Sequence, residues 1–319
     1  MDRHVQSLVS SGWAPRTRSG YSSALRRFFS FTAAYGLQPL PLTESLLLRY
    51  VAHLNLEHLA PSTIKNYLSA IRAWVIAIGL DEPKIWTPRL TLACRAVSRS
   101  HQPPRQVLPI TYDLLSLMFK SLSPSLDHLL VAAALSLQYF ACLRASELCS
   151  NSTLSITPAR SDDSFYRSGS SFIMVYRCQV SKTSPHGFDV HVGCSGEPIC
   201  APCIMHHFLA SCPAEPSSPL FRFTSGHLLS YSVYNAIIKR LVQLAGLDSS
   251  SYSSHSVRAG AATQAARAGL DPDSIKRLGR WRSQAYQAYL RPSPEAYAAF
   301  APTLAQHIHP TTSHHLARP

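Results

Sequence analysis

The chain has 319 residues, 46% of them hydrophobic, which suits roughly two domains with real cores. Thirty Lys and Arg stand against 17 Asp and Glu, a net charge of +13, and this favours a polyanionic partner, nucleic acid first. The polar start carries no visible secretion signal, and eight Cys do not make a dense disulfide framework, so reduced thiols inside a cell are expected rather than a secreted scaffold.

Both parts of the chain are basic. Residues 1–100 hold 12 Lys or Arg against 5 acids, and the remainder holds 18 against 12, as expected if both touch one duplex. Three helical patterns dominate the first hundred residues. Residues 17–35 put Tyr21, Leu25, Phe28 and Phe29 on one face, with Gly36 as a stop. Thr43 caps a second pattern with the stripe Leu46, Leu47, Tyr50, Val51 and Leu54, and Ser62 or Thr63 caps a third running from Ile64 to Ile78. These stripes read as core. The cations beside them, Arg16, Arg18, Arg26, Arg27, Lys65 and Arg72, are candidates for DNA phosphates, with plain solvation as the alternative.

Residues 98–109 (SRSHQPPRQVLP) are polar and proline-rich with no apolar period, which predicts a linker between a domain at 1–97 and one at 110–308. Residues 129–143 form an apolar run containing Ser136 and Gln138. It is shorter than the ~20 residues that span a bilayer, so it reads as a buried helix delivering Arg144 at its end, and no membrane partner is expected. Residues 172–176 and 188–192 are strand-like around the turn signal Ser184-Pro185-His186-Gly187, which places Lys182 on or near a hairpin. Helix returns from Ser230. Residues 294–308 suit a short helix, and the His-rich residues 309–319 read as a disordered tail.

Certain residues along this path can transfer a phosphodiester without metal. That reaction needs a nucleophile, cations for the pentacoordinate state, a donor for the leaving oxygen and a base. Arg144 and Arg258 suit the cationic role, because a guanidinium matches phosphate oxygens bidentately and stays charged. Lys182 suits leaving-group protonation. His255, three residues before Arg258, shares its helical face and can move a proton. Trp281 offers an indole N–H and a packing surface, and Tyr289 is the phenol nucleophile. Tyr286, three residues earlier, is the reserve nucleophile. Each residue alone has a commoner structural role: Arg144 could simply pair with Glu147 at i, i+3.

The order Arg144, Lys182, His255, Arg258, Trp281, Tyr289 resembles the tyrosine recombinase (phage integrase) family. The run Leu143-Arg144-Ala145-Ser146-Glu147-Leu148 is similar to that family's first arginine motif, in which the acidic residue supports the site. The second box runs from His255-Ser256-Val257-Arg258-Ala259-Gly260 through Ala268-Gly269-Leu270 to Leu278-Gly279-Arg280-Trp281. Residues 10–95, including Ser62 to Leu68, resemble its helical core-binding domain, and residues 110–300 its catalytic domain. The resemblance implies a mainly α fold with a small β-hairpin sheet, in two domains. It implies cleavage and rejoining of double-stranded DNA through a 3′-phosphotyrosyl link with no cofactor, by a homo-tetramer on two sites. Leu278 to Ser283 and Tyr289-Leu290-Arg291 look closest to recombinases of eukaryotic mobile elements, which would mean a nuclear location; otherwise the cytoplasm is expected. One departure concerns spacing: the family nucleophile commonly follows its His or Trp by nine residues, whereas Tyr289 follows Trp281 by eight and Arg280 by nine. Arg280 is therefore a supporting candidate for the His/Trp position. The rival readings are a type IB topoisomerase-like enzyme and a domesticated, non-cutting DNA-binding protein.

Cys194, Cys200 and Cys203 with His206 and His207 have zinc-like spacing. Adjacent histidines would point apart on a helix, and small buried Cys near a helix start are common, so no metal site is assigned from the sequence.

Overall fold

A computed structural model describes residues 2–80, 86–102, 107–150, 157–179, 181, 184, 186–290 and 298. Lys182, the expected tail and all of the 294–308 segment but Ala298 lie outside these residues. The chain forms two compact units, Met1–Pro104 and Arg105–Pro319.

Among its described residues the first unit has five helices where the periodicity predicts three: α1 (Asp2–Ser11), α2 (Pro15–Ala34), α3 (Glu44–Leu56), α4 (Pro61–Ala77) and α5 (Pro88–Ser100). Thr43 caps α3 by accepting from the Leu46 N–H at 3.2 Å, as its sequence position predicts. The start of α4 departs from expectation. Pro61 occupies its first turn after Ala60, so neither Ser62 nor Thr63 is the cap. Proline's fixed φ suits that position, where its missing N–H would have had no helical partner. Helix α5 extends into the stretch read as linker, because Thr87 caps it and Leu90, Cys94 and Val97 bury one face. Phe28, Tyr50, Leu54, Ile64, Leu68, Ile71 and Leu90 form the centre of this unit's core.

The second unit opens with α6 (Tyr112–Lys120) and α7 (Leu126–Phe140). Ten consecutive residues of α7, from Leu130 to Tyr139, are buried, so this helix is the unit's axis. A three-stranded antiparallel sheet follows in the order β1 (Asp163–Ser168), β2 (Ser171–Cys178), β3 (Phe188–Gly193). β1 lacks a clear hydrophobic alternation and is not legible in the sequence. It pairs with β2 from Asp163 opposite Tyr176 to Ser168 opposite Ser171. Then come α8 (Ala201–Ser211), α9 (Tyr231–Leu244), α10 (Ser254–Arg267) and α11 (Pro272–Gly279). Helix α10 packs on α7 and is buried at ten of its fourteen residues. Gly260 lets the chain at Ile110 lie against α10, because a Cβ there would lie 1.7 Å from the Ile110 carbonyl oxygen.

Candidate active site

The site is built where α7 and α11 end. Helix α7 stops at Phe140, and Cys142 turns the chain with φ +47°. Arg144 therefore does not ride on the helix end, as expected, but heads a 3-10 turn over Ala145–Glu147. Glu147 is buried, and its carboxylate explains this turn. It accepts the Arg144 backbone N–H at 2.8 Å and the Arg144 guanidinium at 2.7 Å, and Arg280 lies 3.6 Å away. From β2 the Tyr176 hydroxyl donates to the Glu147 carbonyl at 2.7 Å, which ties the turn to the sheet.

Arg258 is fully buried on α10. Its two terminal nitrogens donate to the carbonyls of Cys142 and Gly279, the trailing ends of α7 and α11. Arg280 donates to Ala141, Leu278 and Cys142, each at 3.1 Å. Two guanidinium groups thus occupy the negative ends of two helices, where orphan carbonyls and the macrodipoles offset the cost of burying charge. Burial first, and Arg144 among the neighbours, lowers the Arg258 pKa; burial likewise lowers that of Arg280. Arg280 adopts φ +56° as the cap of α11, a conformation an arginine holds here because three carbonyls fix its side chain.

The aromatic residues close over Arg258. Its guanidinium carbon lies 4.4 Å from the Trp281 ring centre and 5.8 Å from that of Tyr289. The Trp281 and Tyr289 rings are 5.3 Å apart. A side chain at Gly279 would collide with Trp281, at 1.8 Å from its Cζ3. Trp281 therefore packs beneath the site, while Arg280 reaches over α7's carbonyls.

Tyr289 does not lie on a regular helix: it ends the 3-10 turn Gln284–Ala288, and its carbonyl accepts from the Thr263 hydroxyl at 3.1 Å. It is half-buried, whereas Tyr286 is buried against Trp281. His255 and Arg258 sit on one helix, yet their side chains part: Arg258 is enclosed and His255 is exposed. The cover His255 does have, followed by the charges of Arg258 and Arg144, lowers its pKa from the ordinary 6.5.

Residues 200–295 match the family model described as Phage integrase family. Over those residues the chain is similar to that family, the tyrosine recombinases. No curated protein matches it. Among solved structures it is similar to the Tn1549 transposon integrase in complex with transposon right end DNA, at 15% identity and TM-score 0.60, covering 94% of this chain and 99% of that one. The lambda integrase dimer bound to a COC' core site follows at 17% and 0.59, covering 91% and 93%. XerH site-specific recombinase bound to palindromic difH substrate, in a post-cleavage complex, stands at 14% and 0.59, covering 90% and 76%. At these identities the likeness is one of fold: a mainly helical chain with a small antiparallel sheet.

The candidate site brings together Arg144, Glu147, His255, Arg258, Arg280, Trp281 and Tyr289. Sequence reading missed Gln138. This buried amide donates to the Leu143 and Ser254 carbonyls at 3.3 and 3.0 Å and accepts from the Tyr234 hydroxyl at 2.7 Å. It joins the segment before Arg144 to the start of α10, and its only sequence signal was a polar residue in an apolar run.

In the first unit Arg16, Arg18, Arg26, Lys65 and Arg72 are exposed, while Arg27 pairs with Glu57. None of the described helices is long and apolar enough to cross a membrane.

Proposed function

We propose that Tyr289 is the nucleophile with which this site-specific recombinase attacks a DNA phosphodiester, forming a 3′-phosphotyrosyl link and freeing a 5′ hydroxyl. A second 5′ hydroxyl then reverses the step on a new partner, so the bond energy stays in the covalent link and no ATP is consumed. The single observation that carries this reading is the stacking of the buried Arg258 guanidinium against the rings of both Trp281 and Tyr289. Among the described residues the buried Arg258 Nε–H has no acceptor, an unsatisfied donor at the centre of the site. Arg144, aimed by Glu147, supplies the second cation. His255, held towards its neutral form, takes part in proton transfer. Lys182 keeps the role of protonating the leaving oxygen on the strength of the sequence alone.

The partner is double-stranded DNA, gripped by the helical first unit through Arg16, Arg18, Arg26, Lys65 and Arg72 and cut by the second. DNA-bound relatives of this fold, one of them a dimer, support that partner, and four copies on two sites would complete the exchange. If the likeness of residues 278–283 and 289–291 to recombinases of eukaryotic mobile elements holds, this activity belongs to the nucleus, and otherwise to the cytoplasm.

Trapping on a nicked suicide substrate in EDTA tests the assignment. Wild type should give a protease-sensitive protein–DNA adduct, Tyr289→Phe should bind without forming it, and Tyr286→Phe should retain it. Loss only in Tyr286→Phe would move the nucleophile. Binding without any adduct would favour a non-cutting DNA-binding role.

A further inference from the structure

The three thiols that leave the recombinase site unexplained meet at one point. Cys194 follows β3, Cys200 is buried at the N-cap of α8, and Cys203 lies in that helix's first turn. Their sulfurs form a nearly equilateral triangle: 3.5 Å from Cys194 to Cys203, 3.4 Å from Cys194 to Cys200 and 3.2 Å from Cys200 to Cys203.

Zinc held tetrahedrally by sulfur at about 2.3 Å needs S–S edges of about 3.8 Å, so this triangle has only to open by a few tenths of an ångström. A redox pair would single out two sulfurs, and here the third stands as close as the others. The loop is already folded for the purpose. The Cys194 N–H donates to the Phe172 carbonyl at 2.8 Å, anchoring it to β2. Ser195 accepts from the Glu197 N–H and donates to the Ile199 carbonyl, both at 3.3 Å, while Gly196 turns the chain at φ +73°. Backbone N–H groups of Cys203 and Ser195 bond the Cys200 sulfur, which holds it in place at the start of α8.

We propose that Cys194, Cys200 and Cys203 bind one zinc ion that staples the end of β3 to the start of α8. The ring of His206 is packed against Phe165 and Phe172, at 5.5 and 5.8 Å, and among the described residues no fourth protein ligand lies with the three sulfurs, so a water molecule takes the fourth corner. The staple is structural. It lies at the base of the ribbon of β2 and β3, whose connecting loop contains position 182, so its loss would loosen the element that carries the leaving-group lysine.

The test uses the full-length untagged chain, reduced and loaded with cobalt(II) alone, then with zinc. Cobalt should give a thiolate-to-metal charge-transfer band and strong tetrahedral d–d bands, which one equivalent of zinc erases. The band is chosen because the histidines at 307–315 can hold metal but cannot produce it. Cys203→Ser should weaken it and Cys194→Ser/Cys200→Ser abolish it, while Cys94→Ser, on α5 in the first unit, leaves it unchanged. Chelation of the zinc form should lower Tm by about 5 °C or more in wild type and not in the double variant. A reduced wild-type chain without the charge-transfer band, or one whose band survives the double variant, overturns the proposal. So does loss of two thiols to a disulfide in air at a rate that zinc does not slow. None of these readouts involves DNA, so failure here is separate from failure of the recombinase assignment.

Discussion

On α2 and α4 the cations Arg16, Arg18, Arg26, Lys65 and Arg72 stand in solvent, whereas in the second unit Arg258 is enclosed and its terminal nitrogens are fixed by the carbonyls of Cys142 and Gly279. The first set supplies potential: exposed charges, screened by salt, attract a polyanion without defining where one phosphate sits. In the proposed site the second supplies geometry, because carbonyls at two helix ends hold the Arg258 guanidinium in one orientation. On the proposed function, cations thus serve affinity in one unit and chemistry in the other.

The sharpest way to break this contrast is Arg258→Lys. Lysine keeps the charge but cannot bridge two carbonyls while stacking under two rings. Covalent adduct formation should fall by about 10²–10³-fold with DNA binding almost unchanged, as measured by single-turnover trapping beside an equilibrium shift assay. A fall confined to binding would mean that Arg258 supplies potential like the surface cations.

A smaller effect concerns acidity. His255 has its pKa lowered by its cover and by the charges of Arg258 and Arg144, so it stays neutral to a lower pH than a free histidine. Cleavage should drop as pH falls through a midpoint below 6.5, and Arg144→Ala should move that midpoint upward in what activity remains. Stability follows the same sign. Between the lowered folded pKa and the ordinary value, the unfolded chain binds more protons, so acid weakens the fold across that window. A pH–rate profile unchanged by His255→Gln would remove histidine from the proton path.

The smallest effect belongs to the exposed set. Arg18→Ala and Lys65→Ala should each weaken DNA binding a few-fold for any sequence and reduce the salt slope by about 1. The rate of cleavage from the bound state should not change. A slope unaltered in both variants would mean that these two side chains are solvated and contact no phosphate.

Most of the helical architecture was legible because α3, α4, α7 and α10 carry either a stripe or a cap that only a helix explains. The failures have local causes. Pro61 outranked two good capping side chains, and β1 pairs through its backbone with four of its six residues exposed, leaving no alternation to read. At the site, residue types and order were readable from the motifs around Arg144, Arg258 and Tyr289. Their support was not. Carbonyls donate no signal to a sequence, so the α7 and α11 ends that hold Arg258 and Arg280 appear only in three dimensions. The divergence of His255 from Arg258 was likewise hidden, since helical spacing places two residues side by side without saying which one the core encloses.

Gly260 admits the Ile110 backbone against α10, the Ile110 N–H donates to the Ser256 carbonyl at 2.9 Å, and the Leu108 N–H donates to the Ser251 carbonyl at 2.8 Å. The chain entering the second unit is therefore stitched to the helix of His255 and Arg258 before its first helix begins. Anyone cutting this unit free should start upstream of residue 107. A fragment opened at 110, where the proline-rich stretch suggests a clean edge, would lose the Leu108 bond to the turn that leads into the reactive helix.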